Sequence, residues 1–504
     1  MLWEQLSKLD EAVQETIRIL PRDPSIEESG TVLSVDKGIA LVLGLYSVKN
    51  QELIEFPRNT MGMVFNLDPE VIGVILLGNY DHIQAGDQVR RTYRVADIPV
   101  SEDLLGRVIN PLGEVIDDQR RPIEEKERLP IEQEAVPIMH RAPVYEPLQT
   151  GIKVIDSVVP IGRGQRELIL GDRQTGKTAI AIDTIINQKD TDVICIYCAV
   201  GKRTSSITQI VRTLREHGAL AYSIIMVAGS EEPPGISFIA PYAATSIGEY
   251  FMRKGKNVLI VYDDLTRHAR AYRELSLLLE RPPGREAYPG DIFYIHSRLL
   301  ERATHLTHEF GGGSITALPI IETQAENLSA YIPTNLISIT DGQIYLSPKL
   351  YQKGNLPAVS IGTSVSRVGG KTQLPAYRAI TSALKLTYSQ FEELERFSSF
   401  GSRLDEETRK ILDKGQRIRR VLSQVQYEPI EVTEQMGLLL AVVSGALDPV
   451  ALDDIEKAEE IIRQLVREDD ELQKAMKGSK PLEDEVKEAF IKQVEEILKK
   501  ELVE

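Results

Sequence analysis

The spacing of apolar and polar positions divides the chain into four stretches. Over residues 1–25 the apolar positions recur at helical spacing, which predicts an N-terminal amphipathic helix. Over 26–95, short β-branched runs separated by turn residues predict a small β-barrel or sandwich. Strand-like and helix-like runs alternate over 96–375, as in a parallel sheet with helices on both faces, and 376–504 is charged and helical. We therefore expect a multidomain α/β protein with an N-terminal β-barrel, a central domain with a mainly parallel sheet, and a C-terminal α-helical bundle.

The composition of the chain disfavours some classes of protein function. The chain of 504 residues has a formal net charge of −16. This disfavours a protein that grips nucleic acid non-specifically, because such binding needs a net basic surface. No apolar run approaches the roughly 18 residues of a membrane-spanning helix, and Met1–Gln5 lack the pattern of a signal peptide. We expect a cytoplasmic location, with any membrane association being peripheral.

One short segment matches the phosphate-binding pattern G-x-x-x-x-G-K-[ST] between a strand-like and a helix-like run. Its residues are Gly171, Asp172, Arg173, Gln174, Thr175, Gly176, Lys177 and Thr178. In such a loop the backbone N–H groups and the helix N-terminus surround a polyphosphate. The lysine neutralises the β- and γ-phosphates, and the hydroxyl of Thr178 holds Mg²⁺. The flanking elements make an ordinary glycine turn the weaker interpretation, so the segment predicts nucleotide binding and leaves cleavage open.

A second motif is the apolar run Asn257–Tyr262, which ends in Asp263 and Asp264. A carboxylate at the end of a strand beside the phosphate loop can hold Mg²⁺ through water. The pattern is weak by itself, because many parallel strands end in aspartate. Together with the phosphate loop it favours Asp263 as a magnesium residue, with Asp264 as the alternative.

Arg367 lies in a turn between a strand-like run and the glycine pair Gly369–Gly370. On spacing alone, an arginine in this position is most simply a helix-capping or salt-bridging residue. The sharper hypothesis is an arginine finger, supplied to the γ-phosphate of a nucleotide in a neighbouring subunit. The spacing leaves both open.

Several segments together resemble the alpha subunit of F-type ATP synthase. They are Gly171–Thr178, Tyr262–Leu265, Arg281–Asp291, Ala317–Gln324 and Ser364–Gly369. The resemblance covers nearly the whole chain, from about Gly30 to about Pro449. It implies a β-barrel crown, a RecA-like P-loop NTPase domain and a C-terminal helical domain.

The resemblance also implies partners and a location. Such alpha subunits alternate with beta subunits in a hexameric ring around the gamma rotor stalk. A peripheral stalk binds the ring, and rotation couples it indirectly to a membrane sector that translocates ions. A peripheral membrane protein on the cytoplasmic face of a bacterial (inner) membrane is therefore expected, and the coupling ion stays open.

The site residues follow from the same resemblance. Alpha subunits hold ATP or ADP with Mg²⁺ that is normally not turned over, whereas the beta subunits carry the chemistry. The resemblance implies phosphate binding by Gly171–Thr178 and an adenine pocket at Pro357, Gln424 and Gln426. Arg367 matches the arginine that enters the neighbouring beta site.

Two positions depart from the family pattern. In the catalytic sister subunit a glutamate follows the glycine at the end of the next strand and positions the attacking water. Here Gly201 is followed by Lys202, where alpha subunits usually have glutamine. A charged lysine cannot accept a proton, and Glu322 is expected to act in a relay towards the nucleotide, so we expect binding without turnover. Leu356 stands where the family commonly has arginine, which leaves the base or ribose contacts open.

Other classes of protein are the alternatives. A homohexameric RecA-like motor for secretion or RNA translocation, or a catalytic beta-type subunit, needs its own catalytic glutamate, which Lys202 replaces. A nucleotide-binding scaffold without an enzymatic role would leave Arg367 without a task. The Pro/Gly-rich segment Arg281–Asp291 is either a plain surface connection or, as the resemblance favours, the loop that faces the rotor.

Overall fold

The computed structural model describes residues 28–117, 127–398 and 406–503. The amphipathic helix predicted over 1–25 lies outside these described residues. The chain divides into two compact units, one ending at Val95 and the other beginning at Ala96. Within the described ranges, no helix has both the length and the apolar character needed to cross a membrane.

The first unit is a closed antiparallel barrel. Its strands are β1 (Ser29–Asp36), β2 (Ile39–Leu43), β3 (Glu52–Glu55), β4 (Met61–Leu67), β5 (Ile72–Leu76) and β6 (Gln88–Val95). They follow the order β1-β2-β5-β4-β3-β6 around the barrel. Side chains alternate between the two faces of each strand, and Val42, Ile54, Val64 and Val74 belong to the buried barrel core. The β-branched runs seen in the sequence supply this interior.

The second unit is built on an eight-stranded sheet of order β18-β17-β12-β16-β15-β13-β14-β8. Neighbouring strands in it are parallel, except that β18 runs antiparallel to β17. The strands of this unit are β7 (Asp97–Val100), β8 (Val108–Ile109), β9 (Glu127–Pro130), β10 (Pro147–Leu148), β11 (Ile161–Gly162), β12 (Leu168–Gly171), β13 (Val193–Lys202), β14 (Ser223–Gly229), β15 (Asn257–Asp263), β16 (Ser314–Glu322), β17 (Gly342–Leu346) and β18 (Val365–Ser366).

Helices alternate with these strands and then form the C-terminal part. They are α1 (Lys153–Val158), α2 (Lys177–Ile186), α3 (Thr204–Glu216), α4 (Pro234–Arg253), α5 (Leu265–Leu278), α6 (Ile292–Leu300), α7 (Tyr331–Ile339), α8 (Pro348–Gln352), α9 (Pro375–Ser398), α10 (Glu406–Leu422), α11 (Val432–Ser444), α12 (Ile455–Glu468), α13 (Asp470–Met476) and α14 (Asp484–Leu498). The prediction of a β-barrel, a mainly parallel central sheet and C-terminal helices is confirmed.

The register of the sheet places the candidate site residues at one edge. Strands β12, β13, β15 and β16 are apolar and buried, as expected for a parallel sheet covered on both faces. Gly171 pairs with Glu322, and Ala199 pairs with Asp263. The carboxyl ends of these strands therefore meet at the same edge, which is where ligands bind in open α/β sheets.

The second unit also has close contacts that lie away from this edge of the sheet. The guanidinium of Arg302 is fully buried and donates to both carboxylate oxygens of Glu249, at 2.8 and 3.0 Å. It also donates to the carbonyl of Ile131 and to the hydroxyl of Ser246. Among the C-terminal helices, α9 and α10 approach closely at Gly415, because a Cβ there would lie 2.0 Å from Cγ of Phe391.

Candidate nucleotide-binding site

The phosphate loop joins the buried strand β12 to helix α2. Gln174 and Gly176 take left-handed backbone angles, with φ of 61° and 97°, which turn the chain sharply before the helix begins. The ammonium of Lys177 lies over the loop and donates to the carbonyls of Gly171, at 2.8 Å, and Asp172, at 2.5 Å. Burial lowers the pKa of this lysine, and nearby carboxylates act in the opposite direction. The loop thus presents a cation at the N-terminus of α2, where phosphate binding is expected.

The other polar residues of the loop are tied to the end of strand β16 and the residues after it. The Asp172 carboxylate accepts a hydrogen bond from the hydroxyl of Thr323, at 2.6 Å. Thr175 donates to the Asp172 carbonyl. Arg173 donates from Nε to the carboxylate of Glu322. Glu322 is therefore engaged with the phosphate loop, a position that suits a relay better than a base acting on water.

The structure places Asp263, and not Asp264, against the phosphate loop. Asp263 is 1 % exposed, and its Oδ2 accepts hydrogen bonds from the hydroxyls of Thr178, at 2.7 Å, and Tyr197, at 2.5 Å. Asp264 instead caps helix α5 by accepting from the backbone N–H of Arg267, at 2.9 Å. Thr178 and Asp263 together offer hard oxygen donors, the kind that Mg²⁺ prefers, so these two residues fit the expected metal.

Lys202 ends strand β13 and pairs with the same carboxylate. Its Nζ lies 2.6 Å from Oδ1 of Asp263. The contact arises because β13 and β15 are parallel neighbours, so both residues lie at the carboxyl edge of the sheet. The sequence predicts a cation near the phosphates, but no local pattern in it indicates that this cation pairs with Asp263.

A pocket beside the phosphate loop brings together the three predicted adenine residues, Pro357, Gln424 and Gln426. Its lining includes Leu356, the position where the family commonly has arginine. Further residues of the pocket come from the position before α1, the phosphate loop, α2 and the segment after α10, and they are Ile152, Thr175, Gly176, Ala179, Ile180, Asp183 and Val425. The lining is mostly apolar with a few polar groups, as is usual for the site of a flat base.

The two glutamines of the pocket differ in how they are held. The side-chain oxygen of Gln424 accepts from the backbone N–H of Lys153, and its amide donates to the carbonyls of Gly151 and Glu428. These bonds commit Gln424 to shaping the pocket wall. Gln426 is exposed, which leaves it the better placed of the two to contact a base.

Asp183 is a pocket residue that the sequence reasoning missed. It lies on α2 and accepts a hydrogen bond from the backbone N–H of Tyr427, at 2.8 Å. Burial raises its pKa from 3.8 to about 6, against the opposing effects of that hydrogen bond and of His217. The sequence does contain a signal for this position. Asp183 follows Gly176, the residue before α2, by about two helical turns, so it lies on the face of α2 that continues from the phosphate loop.

Arg367 follows strand β18 and contacts the C-terminal end of helix α7. Its guanidinium donates to the carbonyls of Thr340, at 3.0 Å, and Ile337, at 3.1 Å. This is the helix-capping arrangement of the simpler interpretation, and it places a cation at the negative end of a helix dipole. The residue is nevertheless exposed, so capping and a role in a neighbouring site are compatible.

The segment Arg281–Asp291 is a turn held by its own backbone and by contacts with neighbouring residues. The backbone N–H of Gly284 donates to the carbonyl of Tyr288, at 2.7 Å, and the hydroxyl of Tyr272 donates to Asp291, at 2.6 Å. Positions 282–287 between these contacts are exposed. The segment therefore has the form of a shaped surface loop and is available to a partner.

Comparison with known proteins gives family matches across the three parts of the fold. The ATP synthase alpha/beta family, beta-barrel domain, matches residues 25–93. The nucleotide-binding domain of the same family matches 151–366, and the ATP synthase alpha/beta chain, C terminal domain, matches 373–497. Each match coincides with the corresponding part of the structure.

Individual relatives are similar over most of their length. ATP synthase subunit alpha 2 of Syntrophus aciditrophicus is 61% identical over 87% of this chain and 85% of the relative. ATP synthase subunit alpha 1 of Shewanella frigidimarina is 60% identical over 86% of this chain and 84% of the relative. For ATP synthase subunit alpha 1 of Chlorobium luteolum the identity is 56%, over 99% of this chain and 98% of the relative. The predicted family is confirmed: the chain belongs to the ATP synthase alpha/beta family, among its F-type alpha subunits.

Proposed function

We propose that this chain is the non-catalytic, nucleotide-holding subunit of its ATP synthase and lends Arg367 to the adjacent catalytic beta subunit. The complex makes ATP from ADP and phosphate with a transmembrane ion gradient, or runs in reverse. The observation that carries the non-catalytic assignment is the ion pair between Lys202 and Asp263. It puts a paired cation where turnover requires a free carboxylate.

Hydrolysis needs a group that positions and polarises the attacking water. The three carboxylates at this edge of the sheet are all engaged. Asp263 is held by Lys202 and two hydroxyls, Asp264 caps helix α5, and Glu322 is bound to Arg173. These contacts support a site that retains ATP or ADP rather than cleaving it.

The proposed ligand is a nucleotide with Mg²⁺. The phosphates lie along Gly171–Thr178 and next to Lys177, and the base enters the pocket at Pro357 and Gln426. Thr178 would hold the metal directly and Asp263 through water. When bound, Mg²⁺ neutralises phosphate charge and ties the phosphate oxygens to the loop.

The proposed partners follow from the exposed features. Arg367 faces a neighbouring beta subunit, where a guanidinium against the transferring phosphoryl group accelerates transfer by about 10³–10⁵. Loop Arg281–Asp291 faces the gamma rotor, and a peripheral stalk binds the ring. The complex is placed on the cytoplasmic face of a bacterial inner membrane, with the ion-translocating sector reached only indirectly.

The test compares the purified chain with a ring reconstituted from this chain and its beta and gamma partners. The chain alone is expected to bind ATP and ADP in equilibrium dialysis and to show only background ATP hydrolysis, whereas the ring hydrolyses ATP. Lys177→Ala serves as the control for binding, since it removes the loop cation. Appreciable turnover by the isolated chain would overturn the non-catalytic assignment.

A further inference from the structure

Lys202 brings a second ammonium group to the phosphate loop. Its side chain is 18% exposed, and it lines one pocket together with Thr178 and Tyr427. The lysine therefore faces the same space as the hydroxyl expected to hold a metal.

Two other cations around the loop are paired with carboxylates. Arg173 is bound to Glu322, and Arg267 lies 3.6 Å from Asp264. Lys177 and Lys202 then face two carboxylates, that of Asp263 and that of Asp172, which accepts hydrogen bonds from the hydroxyl of Thr323 and the backbone N–H of Glu326.

A glutamine at position 202 would leave one ammonium group, that of Lys177, against these two carboxylates. The lysine therefore adds one positive charge beside the phosphate position and balances the two carboxylates. A positive charge at this place attracts a polyphosphate, and it repels a second cation that approaches the carboxylate of Asp263.

We propose that the Lys202 ammonium is a built-in counter-cation for the bound polyphosphate, so that nucleotide binding at this site is largely independent of Mg²⁺. This inference rests on the proposed nucleotide site at Gly171–Thr178. An ammonium has three N–H donors, so Lys202 can keep its bond to Asp263 while it donates to a phosphate oxygen. Because Asp263 already holds a cation, it gains less from a hydrated metal.

The experiment measures the affinity of the full chain for ATP and ADP by isothermal titration calorimetry, at constant ionic strength, once with excess Mg²⁺ and once with excess EDTA. The variants are Lys202→Gln, which removes the charge and keeps a polar side chain, and Lys202→Arg, which keeps the charge. Lys189→Gln makes the same change at an exposed position beyond helix α2 and is the matched control.

The wild-type affinity is expected to differ by less than about threefold between the two conditions, because a fixed cation replaces much of the screening. Lys202→Gln should bind about tenfold to a hundredfold more weakly in EDTA than in Mg²⁺, since one charge near the phosphates is lost. Lys202→Arg and Lys189→Gln should behave like the wild type.

The comparison of the wild type with Lys202→Gln decides the question. A loss of affinity in EDTA as large as that of Lys202→Gln would overturn the role of Lys202 while leaving the nucleotide site intact. A wild-type chain that binds neither nucleotide with Mg²⁺ would instead overturn the proposed function itself.

Discussion

Asp183 allows a quantitative test of how the base pocket is built. The change is Asp183→Asn, which is nearly isosteric. The asparagine oxygen can still accept the hydrogen bond from the backbone N–H of Tyr427. What the substitution removes is the buried negative charge, so its effect on stability isolates the cost of ionising this side chain inside the pocket.

The sign follows from the direction of the pKa shift. In the folded chain the pKa of Asp183 is raised from 3.8 to about 6, chiefly by burial. Below about pH 4 the carboxyl is protonated in both states and costs nothing. As pH rises towards 6, the unfolded chain releases this proton first, so stability falls. Above the folded pKa the full penalty is present, about 3 kcal/mol for a shift of this size.

Asparagine does not titrate, so the variant escapes this penalty. Relative to the wild type, Asp183→Asn should gain about 3 kcal/mol at about pH 7.5, roughly half as much at about pH 5, and nothing below about pH 4. For the unit that begins at Ala96, the gain at neutral pH corresponds to a rise in melting temperature of about 3–4 °C.

The assay is differential scanning calorimetry at several pH values. The transition that shifts upward on adding ATP reports the nucleotide-binding unit, because a ligand stabilises the state that binds it. Asp190→Asn, the same change at an exposed position, is the control. A stability difference between Asp183→Asn and the wild type that is the same at pH 5 and pH 7.5 would refute the assigned shift.

Three further changes test other parts of the molecule. Arg367→Ala should leave the reconstituted ring assembled, as judged by size-exclusion chromatography, and remove multisite ATP turnover by about 10³-fold or more; normal turnover would exclude the arginine finger. Glu249→Ala leaves Arg302 buried without its partner and should cost about 3–5 kcal/mol in denaturant unfolding, and a loss below about 1 kcal/mol would contradict the buried pair. Gly415→Ala drives a methyl group into Phe391 and should cost about 1–3 kcal/mol or more; Phe391→Leu in the same chain should recover part of it, and no recovery would place the strain elsewhere.

Much of the nucleotide site can be predicted from short segments of the sequence. The phosphate loop and Asp263 are each recognisable from a run of neighbouring residues, because a strand, a tight turn and a helix N-terminus need particular residue types in order. The structure brings Thr178 and Asp263 into contact as that pattern suggests. The family and the three-part fold follow from the same segments.

The remainder depends on which distant strands become neighbours. The ion pair of Lys202 and Asp263 exists because β13 and β15 are adjacent and in register, and nothing local at either residue announces it. Asp183 is a pocket residue only because the segment containing Tyr427 folds back over α2. The capping of helix α7 by Arg367 likewise needs the pairing of β18 with β17.

That capping contact has a consequence for recognition between subunits. An unrestrained arginine samples many rotamers, and fixing it against a neighbour's phosphate would cost conformational entropy at the moment of binding. Here two of its five N–H groups already donate hydrogen bonds to the carbonyls of Ile337 and Thr340. The side chain is ordered before any neighbour arrives, and the remaining donors are oriented in advance. The C-terminal end of helix α7 therefore restrains the Arg367 side chain, and the position of these carbonyls determines which points the guanidinium can reach.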